Sequence, residues 1–413
     1  MQIFTELYIV ISLIVLSLIL WKFKFSYRTK TIIISIYSLV IIGILHPIFL
    51  VILLAIVALI YYMLILVNGE KLSMKSFMIV GFVLIALVLV TGKYGPSIID
   101  SIFGSKSVLG FNILVPIGVS YFAMKIIQLI INFRRGLLKE IDFIDVVSFL
   151  VFLPTFAAGP IESYNSFKQA NIDEFSKDDY FYGIRRILIG YFKKFVITDV
   201  IISHYLLNSL NNSFAYFIPE LQVLKPAAVV IISFLIAYFD LSSYSDIAIG
   251  FSRLLGFKIT ENFNRPFWKR NIGEFWRSWH MSLSRWCTSN VYFPVFGATR
   301  KVWLGMYASM IVMGMWHFVS LKWLAWALHH ATALVLFNIF TNYKRKHKKL
   351  KNFSNTKVVT FLSYILTFWF VSLGYAFVGG SNIMDGFNRY IDAIKVPLVV
   401  VYKIVQSLID LIV

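Results

Sequence analysis

An all-α, polytopic integral membrane protein is the fold class this sequence predicts, and three observations predict it. Hydrophobic residues make up 59% of the 413-residue chain and charged residues only 14%, against roughly a quarter charged in soluble domains. A soluble fold of this length has nowhere to bury so much apolar surface. The apolar residues gather in about a dozen stretches, many close to the roughly 20 residues that an upright helix needs to cross a bilayer. Between them, 39 Lys and Arg against 20 Asp and Glu give a net charge of +19, and the basic residues stand in short runs, as positive-inside loops do. On a soluble chain that charge would suggest nucleic acid; its spacing here excludes nucleic acid and makes the lipid bilayer the first partner. The single cysteine, Cys287, allows no intrachain disulfide and no cysteine cluster for a metal.

The stretch at 9–21 has no basic residue before it and is followed by Lys22, Lys24, Arg28 and Lys30. That order is the reverse of a secretory signal and reads as a retained span with its amino end outside. Further stretches lie at about 31–45, 48–67, 76–92, 108–131, 145–158, 185–206, 224–241, 302–318, 320–340, 357–379 and 395–413. Several are short or cut by Pro and Gly, so some are tilted or re-entrant, and ten to twelve embedded helices are expected. Lys71 and Lys75, then Arg134, Arg135 and Lys139, and finally Lys344, Arg345, Lys346, Lys348, Lys349 and Lys351 follow alternate crossings. They place 22–30, 132–144 and 342–352 in the cytoplasm, in a multi-pass protein of the cell (inner or plasma) membrane. With no internal repeat and no low-complexity linker, the chain reads as one integral domain: N-terminal helices over 1–110, a core over 111–345 and C-terminal helices over 346–413.

An ionisable group inside the membrane costs about 3 kcal/mol or more, so polar residues within apolar stretches mark candidate sites. In Leu153-Pro154-Thr155-Phe156-Ala157-Ala158-Gly159-Pro160-Ile161-Glu162 the prolines and glycine forbid a continuous helix. The segment is either broken backbone beside a cavity or a helix end running into a turn. In Tyr238 through Gly250, Asp240 and Asp246 interrupt an apolar stretch with a cluster of hydroxyls. Six residues apart, they do not share a helical face, which favours hydrogen bonds to neighbouring backbone over a paired-carboxylate site. From Asn271 to Trp286, the residues Trp276, Trp279, His280 and Leu283 keep the i, i+3, i+4, i+7 rhythm, with Arg277, Met281, Ser284 and Arg285 on the other side. One amphipathic helix at the membrane boundary is expected, flanked by Arg265, Lys269, Arg270, Arg300 and Lys301. His280 falls on its aromatic face, where a histidine taken alone is more often a hydrogen-bonded structural residue than a catalyst. Last, His317 ends the apolar run Met313-Gly314-Met315-Trp316-His317, and a neutral imidazole is suited to moving protons near neutral pH. His329 and His330 lie too far along the chain to share a helical face with it, so no metal is expected.

Taken together these segments resemble the membrane-bound O-acyltransferase family, and within it the bacterial alginate O-acetylase branch. The resemblance is carried by Val115-Pro116-Ile117-Gly118-Val119-Ser120, Arg135-Gly136, Phe156 through Phe167, Phe239-Asp240, Tyr244 through Gly250, and Leu255-Gly256-Phe257. Glu261 through Phe267, Glu274 through Arg277, Trp279-His280, Ser282 through Ser284, Trp286 and Trp316-His317 complete it, in family order over about 111–330. The chain departs from the pattern at Phe318, where glycine is usual, at Thr288-Ser289, where an Arg-Asp pair is usual, and at Asn132, where aspartate is usual.

The resemblance implies a ring of helices around a thinned centre, with a tunnel from a cytoplasmic acyl donor to an acceptor on the far side. It implies that His317 is catalytic and that His280 is a second functional position. Acyl transfer to a hydroxyl needs a base for the hydroxyl proton, which would be His317; His280 or a backbone amide would steady the oxyanion. No tightly bound cofactor is expected. Arg265, Lys269, Arg270, Arg277 and Arg285 could hold the phosphates of a donor, acyl-coenzyme A or an acyl-phosphopantetheine carrier protein, although positive-inside charge explains each of them singly. The acceptor would be a cell-surface polysaccharide hydroxyl or an exported partner acyltransferase. Tyr244 through Gly250 favours acetyl transfer over D-alanyl transfer to teichoic acid. Broken helices and embedded polar groups also suit a transporter or flippase, against which stands the absence of two related halves. A transient acyl group on Cys287 is the less favoured course beside simple packing against Trp286.

Overall fold

Apolar composition and sparse prolines let helix follow helix along most of the chain, and the computed structural model describes residues 2–94, 118–138, 141–174, 176–207 and 223–412. Among these the protein is all-α, with one isolated bridge between Asn171 and Phe257. Among the described residues, five helices are long and apolar enough to cross a membrane: Tyr27–Leu45, Pro47–Asn68, Lys225–Leu254, Leu321–Lys346 and Lys357–Gly379. Leu7–Phe23 and Met74–Leu89 are shorter and equally apolar. The protein is a multi-pass membrane protein. Val115, Pro116, Ile117 and Lys139, and the expected boundary at 110, lie outside the described residues. The other expected boundary, at 345, falls inside helix Leu321–Lys346.

The chain groups into two compact units, neither of them one run of sequence. The first comprises Met1–Gly190 and Tyr244–Glu261. In it, helix Tyr27–Leu45 starts at a Ser26 cap whose hydroxyl accepts from the Thr29 amide, and its buried polar residues are partnered. Lys30 Nζ donates to the carbonyls of Ile172 and Gly256, each at 3.2 Å, and Ser35 Oγ meets Ser148 Oγ at 2.6 Å. Gly256 has a φ of +81° and abuts Lys30, a place where a side chain would meet both strain and a collision. Phe149, Phe152, Phe167 and Phe257 stack or tilt against one another to fill the interior.

The Pro–Gly segment in this unit is broken backbone buried in protein. Helix Phe143–Val151 ends, a single 3₁₀ turn spans Leu153–Thr155, and Leu153, Thr155 and Phe156 are each 2% exposed or less. Its groups are satisfied from elsewhere, as irregular backbone at membrane depth requires. Buried Lys125 donates to the Phe149 carbonyl and to Thr155 Oγ1, both at 3.0 Å. The Glu162 carboxylate takes the Thr260 amide at 2.6 Å, the Thr260 hydroxyl at 2.7 Å and the Ser166 hydroxyl at 2.6 Å.

The second unit comprises Tyr191–Ser243 and Asn262–Val413. Its interior is aromatic: Phe234 lies against Phe267, Phe275, Trp279, Phe368 and Tyr375. Helices Val302–His317 and Leu321–Lys346 pack closely at Gly314, where a Cβ would stand 2.7 Å from the Trp323 carbonyl oxygen. The stretch expected at 185–206 begins inside helix Lys177–Tyr191 and continues as wider π-turns over Phe192–Leu207.

Asp240 and Asp246 sit on one uninterrupted helix, Lys225–Leu254, and each takes a cation from elsewhere in the chain. In the first unit Arg186 bonds Asp246 at 2.5 Å and Glu261 at 2.6 and 3.0 Å. In the second, Lys194 bonds Asp240 at 2.7 Å and Asp199 at 2.9 Å. The hydroxyls do use backbone: Ser243 Oγ donates to the Asp240 carbonyl at 2.6 Å.

Candidate active site

The single amphipathic helix expected over 272–287 is two short helices with a break between them. Asn271 caps the first, Ile272–Trp276, by accepting from the Glu274 amide at 2.9 Å. The second is Met281–Cys287, and His280 at the junction has left-handed backbone, φ +41°. A distant segment imposes the break. The Asn262 carbonyl accepts from Met281 N at 2.8 Å, the Asn264 amide donates to the Ser278 carbonyl at 2.9 Å, and Asn262 Oδ1 takes the Ser282 hydroxyl at 2.9 Å. The Ser278 carbonyl and the Met281 amide thus find partners outside the helix, while the Arg277 and Trp279 amides still bond the Gly273 and Phe275 carbonyls.

The face expected to lie in lipid is buried in protein. Trp276, Trp279, His280, Leu283, Trp286 and Cys287 are all 7% exposed or less. Trp276 meets Trp326 edge-on and Trp279 lies between Phe234 and Phe263. Burial pushes the Cys287 thiol up to about 12, which leaves almost no thiolate at neutral pH and argues against an acyl-carrying role.

His280 and His317 line one cavity of about 390 Å³ within the second unit, with Asp240, Trp276, Trp279, Met313, Trp323, Trp326 and Tyr375 among its walls. His317 ends helix Val302–His317 and is half-buried. It is walled by indoles: Trp323 stacks on it with centroids 4.5 Å apart and planes 13° apart, and Trp316 and Trp326 meet it edge-on. The ring of His280 lies 6.1 Å from that of Trp316, so both imidazoles neighbour the same indole. Phe318, where the family pattern has glycine, has a φ of −161°, extended backbone that any residue adopts.

Asp240 is the charged residue among the cavity walls, held by Lys194. Of the five basic residues considered for donor phosphates, none is a cavity wall. Arg265, Arg277 and Arg285 are exposed, and Arg277 Nε donates to the Gly273 carbonyl. Lys269 is half-buried. Arg270 reaches the Ser354 carbonyl at 3.0 Å, next to the basic run 344–351. His329 and His330 stand apart from the cavity walls. His329 Nε2 pairs with the Phe370 carbonyl at 3.0 Å, and His330 is enclosed by Trp276 and Trp326. Among the described residues no group of His, Cys, Asp and Glu is arranged to hold a metal.

Burial pushes His280 down to about 4, its own backbone hydrogen bond offsetting only part of this. The ring is therefore neutral at neutral pH. Unfolded, it titrates near 6.5. Between these values the unfolded chain binds a proton that the folded chain does not, so stability falls as pH drops from about 6.5 to about 4, by up to about 3 kcal/mol. A His280→Asn variant is expected to unfold with less acid dependence across that window. Parallel unfolding curves for both proteins from pH 7 to pH 4 would refute this.

Sequence reasoning missed Trp323, Trp326 and Tyr375 as companions of the two histidines. The only available signal was Trp323 and Trp326 at i, i+3 shortly after His317. The family model for MBOAT, membrane-bound O-acyltransferase, matches residues 105–377. The teichoic acid D-alanyltransferase of Bacillus subtilis is 31% identical over 284 residues, 65% of this chain and 70% of that protein. A probable alginate O-acetylase of Pseudomonas aeruginosa is 28% identical over 327 residues, 76% of this chain and 60% of that protein. A peptidoglycan O-acetyltransferase of Helicobacter pylori is 30% identical over 249 residues, 58% of this chain and 45% of that protein. The chain belongs to the membrane-bound O-acyltransferase family and is an O-acyltransferase.

Proposed function

We propose that this protein moves an acyl group, acetyl by preference, from a cytoplasmic thioester to a hydroxyl of an extracytoplasmic polysaccharide or of an exported partner transferase. The observation that carries the reading is the convergence of His280 and His317, 37 residues apart in sequence, on one cavity with largely aromatic walls. His317 is the general base. It takes the acceptor proton where few polar groups compete for it. Neutral His280 is suited to hydrogen-bond the carbonyl oxygen as charge develops on it. Since Arg265, Lys269, Arg270, Arg277 and Arg285 stand away from the cavity walls, they would meet the phosphate end of a coenzyme A or phosphopantetheine donor while its thioester reaches inward.

D-alanyl transfer is the second reading, and the Bacillus subtilis relative favours it. Membership of an enzyme family leaves the transporter reading without support. Cells with and without the protein, fed separately with isotope-labelled acetate and labelled alanine, decide between the two transfers when their surface glycans are analysed by mass spectrometry. Labelled acetyl esters that vanish with the protein are expected. Alanyl esters vanishing instead would select the second reading, and unchanged glycans would refute both.

The inner or plasma membrane is the proposed location, with the amino end outside and 342–352 in the cytoplasm. Arg270, bonded to the Ser354 carbonyl beside that basic run, then faces the side where thioesters are made. A cysteine placed within 342–352 is expected to resist an impermeant thiol reagent in intact cells and to react in opened ones. Labelling from outside would reverse the orientation.

A further inference from the structure

We propose that Trp323 is a positioning residue for His317, its indole face stabilising the imidazolium that forms when His317 takes the acceptor's proton. The proposal rests on His317 as the base. In the step, the hydroxyl proton passes to an imidazole nitrogen as the hydroxyl oxygen bonds the thioester carbonyl carbon. The carbon–sulfur bond then breaks, and the departing thiolate takes the proton back from the imidazolium.

Three observations point to Trp323 as a group that acts on this charge. Its ring lies parallel to the imidazole, 4.5 Å between centroids and 13° between planes, so the two rings meet face to face, and it is nearer than Trp316 at 4.8 Å or Trp326 at 6.3 Å. A cation over the face of an aromatic ring is attracted by its quadrupole, and tryptophan is the best such partner. The placement is also built in. Ser320 Oγ accepts from the Trp323 amide to start the helix three residues after His317, and Gly314 allows the Trp323 backbone to come close. Finally, the other ionisable groups facing the cavity are Asp240, His280 and Tyr375. Asp240 is engaged by Lys194 at 2.7 Å, and Lys322, beside Trp323, is tied to the Gly380 carbonyl at 2.7 Å. The stacked indole is therefore one contact through which the protein favours the charged imidazole over the neutral one.

The test places tryptophans with increasing numbers of ring fluorines at position 323 by nonsense suppression. Fluorine drains the face of the ring while leaving its shape nearly unchanged. Incorporation of labelled acetyl and alanyl groups into surface glycans is measured per unit of membrane-inserted protein, with Trp323→Phe, Trp323→Leu and His317→Ala alongside. The rate is expected to fall in steps with each fluorine. Trp323→Phe should keep part of the activity, and Trp323→Leu should lose about 3- to 30-fold. A flat fluorine series with an inactive His317→Ala overturns the role of Trp323 and leaves the base in place. Full activity in His317→Ala removes the base, and the proposal with it. If Trp323→Leu fails to insert, the fluorinated series alone decides.

Discussion

His317→Ala is expected to lower acyl transfer by about two to four orders of magnitude, the usual contribution of a positioned general base, while the protein still inserts. The separation of the two effects follows from where the residue sits. His317 closes its helix, is half-buried and borders a cavity, so truncation enlarges a space that already exists and opens no new one in packed core. What it removes is the proton acceptor and the ring on which Trp323 stacks. The measurement is labelled acyl incorporation into surface glycan, normalised to the amount of monodisperse protein recovered from membranes. Wild-type incorporation would end the assignment. Loss of the protein itself would show that the residue is structural.

The second large effect is on folding. Arg186→Met is expected to destabilise the first unit by about 3 kcal/mol, because removing one partner of a buried ion pair leaves the other charge uncompensated. Arg186 holds Asp246 and Glu261 together and also donates to the Tyr182 hydroxyl at 2.8 Å. Asp246 is 6% exposed, whereas the Glu261 side chain is nearly half exposed and can return to water, so the cost falls mainly on Asp246. Replacing both partners, Arg186→Met with Asp246→Leu, should recover part of the loss, since an apolar pair leaves no buried charge behind and Glu261 can turn to solvent. Equilibrium unfolding in detergent micelles measures both. A single variant as stable as the wild type would show that the network contributes nothing.

Much of this was legible in the sequence for a simple reason: composition and proline placement act locally. The apolar excess set the class, and Pro154, Gly159 and Pro160 announced the broken segment. Trp316-His317 at the end of an apolar run was legible as a candidate, because an imidazole there is conspicuous. Long-range pairing was not legible. The partners of Asp240 and Asp246, Lys194 and Arg186, lie tens of residues away, and nothing in the neighbourhood of the aspartates names them. The break at His280 was hidden for the same cause. Apolar periodicity continues on both sides of it, no glycine or proline marks it, and the bonds that enforce it come from Asn262 and Asn264. The face of Trp276, Trp279 and Leu283 was correctly read as apolar. Only its destination, protein instead of lipid, depended on chain that a local pattern does not contain.

The left-handed backbone of His280 has a consequence for how mutations there should be scored. At φ +41° a side chain must tolerate a conformation in which histidine, asparagine and aspartate are enriched and most other residues are rare. Alanine at this position would therefore report two quantities at once: the loss of an imidazole, and a strain of about 1–2 kcal/mol in the linker. An activity deficit in His280→Ala would overstate the chemical part by whatever the strain does to the cavity wall. Asparagine keeps the backbone preference and a polar side chain while deleting the ring, and glycine keeps the backbone alone. Comparing these two separates the shape that residue 280 imposes from the chemistry it performs. The same pair offers a route for engineering: a chain with glycine at 280 keeps its turn and gains room beside His317, space into which a bulkier acyl group would fit.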